Sequence, residues 1–292
     1  MLIKFKGAET YIGTGGKNLD DSKTTLCFIH GAGQNHLSFV QQARFFAYKG
    51  FSVIVPDMPG HGLSKGKPCK SIKENADWIH DLLISLKVKN LVVVGHSQGC
   101  LVALELNRIY PTSLSGIVFV AGSNEIPVNQ FLLDLSITNE QKASEMMVTW
   151  GHGRDGDMSI NNWPGHSHFG EGRSIMSMNM SNSLNKDLNA CNNYKDGVDA
   201  TKSVQIPALA VLAKNDQMTP LKSGLKFVGQ IKSCETHVLD CGHFLQSERP
   251  NELNSLLQLS LIHISEPTRQ ADISYAVFCL KKKRGGGGGG GG

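Results

Sequence analysis

The 292-residue sequence has no Cys-x-x-Cys pair, no apolar run long enough to cross a membrane, and no internal repeat. The first absence argues against a thiol redox motif or a cysteine-based zinc site, the second against a transmembrane helix, and the third against a repeat array. The start, Met1-Leu2-Ile3-Lys4-Phe5-Lys6, also lacks the apolar core of a signal peptide, which makes the cytoplasm the expected location. Of the seven cysteines, the six before residue 259, Cys27, Cys69, Cys100, Cys191, Cys234 and Cys241, lie scattered and read as buried free thiols of a reducing compartment.

Net charge is also nearly absent once the C-terminal segment is set aside. Residues 259–292 run through Leu-Ser-Leu-Ile-His-Ile-Ser-Glu-Pro-Thr-Arg to Lys281-Lys282-Lys283-Arg284 and eight glycines. AAA, AGG and GGG codons would encode that ending from a run of A passing into a run of G. The preceding part resembles a translated sequencing-adapter read-through. The segment is expected to be non-native and disordered, and it is excluded from fold reasoning. It holds five basic residues (Arg269, Lys281, Lys282, Lys283, Arg284) and two acidic ones (Glu266, Asp272), leaving 24 basic and 23 acidic side chains in residues 1–258. A net charge of +1 gives no electrostatic case for nucleic acid or an anionic membrane. The remaining partner class is a small-molecule substrate, with the oligomeric state left open.

What is present is alternation. Residues 2–6 and 8–13 form a hairpin pattern turning near Gly7. Thr25–Ile29, Phe51–Val55, Leu91–Val94 and Gly116–Gly122 read as buried strands, separated by helical periods over 38–48, 71–86 and from Gly99 onward. That order implies right-handed crossovers and a mainly parallel sheet. Between about 124 and 204 the alternation stops; Thr138 and Gln141 fit a capping box, and a Gly, Asn, Met and His-rich stretch runs from Gly151 to Met180. The alternation resumes at Pro207–Ala213, with a helix near 221–228, a strand at 236–239 and a last helix from Pro250 to about Gln258. The expected architecture is therefore an α/β core (1–124 and 205–258), a mostly helical cap inserted between strands (125–204), and the tail.

One stretch carries the chemistry. Leu91-Val92-Val93-Val94 runs into Gly95-His96-Ser97-Gln98-Gly99 and then into a helix, so Ser97 falls on a sharp strand-to-helix turn whose glycines leave room that a side chain would fill. A serine hydroxyl attacks poorly unless a base takes its proton, and a carboxylate best orients that base. Strand ends supply both: Asp216 follows the 207–213 strand and His243 follows the 236–239 strand. Asp240, three residues before His243, is the alternative acid, but it shares the histidine's own strand.

At these positions the sequence resembles the α/β-hydrolase superfamily over essentially all of residues 1–258. The matching motifs are the turn around Ser97, the His30-Gly31-Ala32-Gly33 loop, the Asp-x-x-Gly-x-Gly-x-Ser turn at Asp57, Asp216 with Pro220, and Gly242-His243. The chain order Ser, Asp, His is that of the superfamily. The resemblance implies a mainly parallel sheet flanked by helices, Ser97 as nucleophile, His243 as base and Asp216 as its orienting acid. It further implies an oxyanion hole from the backbone N–H groups of Ala32 and Gln98, supported by His30, Gly31 and His96, with no cofactor and no metal. Cys100 replaces a glycine common at that position, and His-Gly-Ala-Gly differs from the triple-glycine loop of some lipases. A serine at the turn argues against the aspartate-dependent dehalogenases and epoxide hydrolases.

The implied activity is hydrolysis of a small or medium apolar ester through an acyl-enzyme. Carbon–carbon bond hydrolysis and cofactor-free perhydrolysis share the same triad, and a non-catalytic ligand receptor is the alternative of another class. His61 reads as a packing or hydrogen-bonding residue. His152, His166 and His168 suggest a metal, yet no carboxylate sits at a recurring ligand spacing. Met146, Met147, Met158, Met176, Met178 and Met180 read as adaptable cap packing and as the wall of an apolar substrate pocket.

Overall fold

Strands β1 (Leu2–Phe5) and β2 (Ala8–Gly13) form the expected antiparallel hairpin, turning through Lys6 and Gly7, which both take positive φ. A computed structural model describes residues 1–153 and 167–265, with side chains as far as Leu261. After the hairpin come β3 (Thr25–Ile29), a 3-10 turn (His36–Phe39), α1 (Val40–Tyr48), β4 (Ser52–Pro56), α2 (Ile72–Ser85), β5 (Leu91–His96), α3 (Gln98–Ile109) and β6 (Gly116–Val120). Among the described residues five helices follow: α4 (Gln130–Thr138), α5 (Glu140–Gly151), α6 (His168–Ser177), α7 (Ser183–Asn193) and α8 (Gly197–Lys202). The chain then returns through β7 (Ala208–Ala213), α9 (Leu221–Val228), β8 (Cys234–Leu239), α10 (Leu245–Glu248) and α11 (Pro250–Ser265).

The eight strands lie in the order β1-β2-β4-β3-β5-β6-β7-β8, antiparallel at β1, β2 and β4 and parallel from β4 onward. Successive side chains of a strand point to opposite faces, so a strand covered on both sides must be apolar at every position. Cys27, Ile29, Val93 and Phe119 pack on the face covered by α2, α3 and α9. Leu26, Phe28, Val92 and Val94 pack on the face covered by α1 and α11. This is why the strands read as unbroken apolar runs.

Helices α4 to α8 interrupt the sheet between β6 and β7 and carry a cluster of their own, in which Leu132, Leu133, Ala143, Met147, Val148, Met176, Leu184 and Leu188 meet Ala32 of the sheet body. Among the described residues no helix is long and apolar enough to cross a membrane.

Several expectations need correction. The capping box at Thr138 and Gln141 does not form: Thr138 ends α4, where its hydroxyl donates to Asp134 O (3.0 Å), and Asn139 caps α5 by accepting from Lys142 N (3.0 Å). The reason is that Thr138 is itself the last residue of α4, so the first residue free to cap α5 is Asn139. The segment from 259 onward, expected to be disordered, is helical through Ser265, because Leu253, Leu257 and Leu261 continue one four-residue stripe into the sheet's core. Residues 266–292, Met158 and His166 lie outside the described residues. Cys27, Cys100, Cys191 and Cys241 are buried free thiols, whereas Cys69 and Cys234 are only half-buried.

Candidate active site

The C-terminal ends of β3 to β8 converge on one edge of the sheet, where an open α/β sheet gathers its ligands. At the end of β5, Ser97 takes φ 54° and ψ −117°, a conformation costing about 1–3 kcal/mol for a residue with a side chain. Its N–H donates to Val120 O on β6 (3.1 Å), which holds the turn against the neighbouring strand. A Cβ on Gly95 would strike the Gly99 carbonyl, and one on Gly99 would strike the Ile29 carbonyl. Both glycines are therefore required by the close approach of β5, α3 and β3. Gly31 serves the same end, since a Cβ there would stand 3.2 Å from Ser97 Cβ.

His243 lies just beyond β8 and is almost completely buried. Its Nδ1 donates to Asp216 Oδ2 (2.7 Å). That bond fixes the tautomer, so Nε2 carries the lone pair; it is buried with no hydrogen-bond partner among the described residues. Asp216 is in turn held by the Met218 and Thr219 amides, each 2.8 Å from Oδ1. The Thr219 hydroxyl stands 2.8 Å from Asp216 Oδ2 and 3.3 Å from His243 Nδ1. Burial alone would raise the Asp216 pKa, but His243 and these Thr219 bonds outweigh it and hold the carboxyl below its ordinary value. Asp240, by contrast, is exposed and bound to Lys214 (3.0 Å) and Asn215 (2.8 Å).

His30 bridges its own loop and the turn after β4: Nδ1 donates to Gly31 O (2.9 Å) and Nε2 accepts from Met58 N (3.2 Å). Burial, assisted by His61, pushes its pKa down to about 4. His96 stands 2.9 Å from the His243 carbonyl and 3.0 Å from Gln34 Oε1, and burial next to His243 lowers it to about 3. Both rings are thus neutral at pH 7. Ala32 sits between two pinned amides: Gly31 N donates to Gln34 Oε1 (3.2 Å) and Gly33 N to Asp187 Oδ2 (2.8 Å). Gln98 opens α3, where the N–H has no intrahelical acceptor. All eight residues singled out in the sequence therefore gather at this edge.

The structure adds residues that the motifs did not indicate. The Gly151 carbonyl at the end of α5 accepts the His243 N–H, and Glu248 Oε2 accepts both Gly242 N (3.0 Å) and Gly153 N (3.1 Å). Burial raises the Glu248 pKa. Gln34, Thr219 and Asp187 are likewise new. Asp187 did leave a signal: it shares the face of α7 that buries Leu184, Leu188 and Cys191, an unusual place for a carboxylate.

A cavity of about 430 Å³ lies among α5, α6, α7 and the Gly33 loop. Met176, Met180 and Leu184 line it, but so do Glu140, Glu145 and Arg173, so its wall is mixed rather than apolar as expected. Ser97 and His243 do not line it. Met147 and Met176 are buried in the helical cluster, whereas Met178 is exposed. His152 and His168 are buried with their rings 5.7 Å apart; among the described residues no group of three or more metal-ligating side chains forms.

Comparison with known proteins agrees with this architecture. A family model described as the alpha/beta hydrolase fold matches residues 24–159. A putative esterase/lipase of Mycoplasma pneumoniae is 24% identical over 209 residues, 70% of this chain and 75% of that protein. A 2-hydroxy-6-oxononadienedioate/2-hydroxy-6-oxononatrienedioate hydrolase of Paraburkholderia phymatum is 25% identical over 265 residues, covering 80% of this chain and 86% of that one. The solved structure of a thermophilic esterase from Thermogutta terrifontis superposes with a TM-score of 0.76 at 18% identity, covering 90% of this chain and 98% of that chain.

Proposed function

The chain belongs to the α/β-hydrolase superfamily, and on that premise we propose that it is a serine hydrolase that cleaves a carboxylic ester through an acyl-enzyme, with residues 125–204 acting as its cap. One observation carries the reading: a buried His243 locked by Nδ1 onto Asp216 and left with an unpaired Nε2, at the same sheet edge as a strained Ser97. In this reading Nε2 takes the Ser97 proton as Oγ attacks the ester carbonyl. Asp216 stabilises the imidazolium that forms, and the N–H groups of Ala32 and Gln98 receive the negative charge on the carbonyl oxygen. Collapse expels the alcohol with the proton from His243, and water repeats the sequence on the acyl-enzyme. No residue in this scheme calls for a cofactor. The nearly neutral body and the free thiols support a cytoplasmic setting.

Substitution Ser97→Ala is expected to lower hydrolysis of short p-nitrophenyl esters at least about a thousandfold without loss of fold. Undiminished turnover would remove Ser97 from the mechanism. A second reading, hydrolysis of a carbon–carbon bond, is favoured by one observation, the dienedioate hydrolase relative. Turnover of a ring-cleavage dienoate with weak ester activity would select it, and halide-dependent bromination in acetate and peroxide would select perhydrolysis. A receptor would leave Ser97 unlabelled by a fluorophosphonate.

A further inference from the structure

Asp187 projects from the cap into the sheet edge and makes contact with both residues of the proposed oxyanion site at one remove. Its Oδ2 accepts from Gly33 N (2.8 Å), the amide immediately after Ala32. Its backbone carbonyl accepts from the Gln98 side chain (2.9 Å). The same Oδ2 lies 2.9 Å from His61 Nε2, and His61 Nδ1 lies 3.1 Å from the Pro59 carbonyl. Both His61 nitrogens face acceptors, and one of them is the buried Asp187 carboxylate, whereas both acceptors around His96 are neutral oxygens, so at His61 the imidazolium is favoured. Burial works against that charge, yet Asp187 outweighs it and leaves the His61 pKa raised. The side chains of this ion pair are only 2% and 4% exposed.

A buried ion pair of this kind is weak evidence of stabilisation, because removing two charges from water costs about what their attraction returns. What the pair does hold is position. Gly33 takes φ 67°, and a Cβ there would strike Met176 and Leu184, so the loop passes under the cap with almost no clearance. Asn179 fastens the same point, donating to Gly33 O (2.6 Å) and accepting from Gly62 N (2.9 Å). A bare carboxylate beside an oxyanion would oppose the developing charge. Paired with the His61 cation it presents little net field and retains its grip on the Gly33 amide.

We propose that Asp187 is a positioning residue of the oxyanion site: its carboxylate, neutralised by His61, and its carbonyl hold Gly33 and Gln98 so that the Ala32 and Gln98 amides converge on one oxygen. The inference rests on the reading of Ser97 as the nucleophile.

The test compares the full-length chain with Asp187→Asn, close in volume, and with Asp187→Leu, which keeps the branching at Cγ without charge or hydrogen-bonding atoms. Active serines are counted with a fluorophosphonate. Per labelled serine, kcat on a p-nitrophenyl ester is expected to fall about ten- to a hundredfold, less than deletion of a donor outright, while KM stays within about threefold. Affinity for a trifluoromethyl ketone, whose adduct carries the oxyanion, should fall by the same factor as kcat. Hydrogen exchange across residues 31–35 should accelerate in both variants. Unchanged kcat and ketone affinity per active serine would overturn the proposal, as would a loss that appears only in KM or only in the count of active serines. If the parent chain neither hydrolyses esters nor takes the label, the hydrolase reading fails. Faster exchange at 31–35 in the variants would then still support the clamp, and unchanged exchange would overturn it.

Discussion

The sheet body and the proposed cap, residues 125–204, are held together by different kinds of interaction. In the body, neighbouring strand residues such as Leu26 and Cys27 or Val92 and Val93 are buried on opposite faces, and the fold rests on many interchangeable apolar contacts. The cap's apolar cluster is small, and individual polar groups fasten it to the body: Asp187 on Gly33, Gly151 on His243, Glu248 on Gly242 and Gly153. The difference teaches where each region is vulnerable. A core tolerates exchange of one apolar side chain for another of like volume, whereas a polar fastening fails when a single acceptor is removed.

Three measurements beyond those already described bear on this contrast. The largest effect is expected in the body: Phe28→Ala should cost about 3–5 kcal/mol in denaturant unfolding, because it empties a fully buried site between β3 and α1. A cost below about 1 kcal/mol would mean that the body is not the cooperative unit.

Acid should act next, and on the junction. Burial keeps His30 at about 4, His96 at about 3 and His152 at about 4, against an ordinary 6.5. The unfolded chain therefore binds more protons than the native one across that interval. The contribution of these rings is complete above about pH 6.5 and is lost as pH falls from there towards 3 to 4. His61 behaves oppositely: its raised pKa contributes fully below about 6.5 and is lost as pH rises through the folded value. Melting temperature should decline from pH 6.5 to 4.5, and hydrogen exchange at 30–34 and 150–153 should accelerate before exchange in β5. A flat profile over that range would contradict the buried neutral rings.

The smallest effect belongs to a local cap of the inserted helices. Asn139→Ala removes the acceptor for Lys142 N and should cost about 1 kcal/mol, leaving kcat within about twofold. A collapse of activity would show that the α4 to α5 junction reaches the active site.

Much of the site was legible because strand ends are legible. Leu91–Val94 and Pro207–Ala213 announce buried strands, and the residues just past them, Ser97 and Asp216, fall at the same sheet edge by topology alone. Thr219 was readable in principle, since an aspartate followed three residues later by a threonine is a familiar side-chain-to-backbone turn. The α4 boundary was not, because Thr138 and Asn139 are both competent caps and only the extent of α4 chooses between them. Likewise, Leu261 reads as foreign text beyond Gln258, yet it lands one turn after Leu257 and is buried with it.

The sequence by itself determined the alternating architecture, the turn at Ser97, and the order of the three residues assigned to chemistry. These depend on side-chain periods of two and about 3.6, which neighbours along the chain impose. Only the tertiary structure decided which cap groups reach the site. The bond between Gly33 and Asp187 joins residues 154 positions apart, and it exists because α7 docks at one angle and one rotation over the sheet edge. A shift of a single residue along α7 would turn that carboxylate about 100° around the helix axis and leave the Gly33 amide without it.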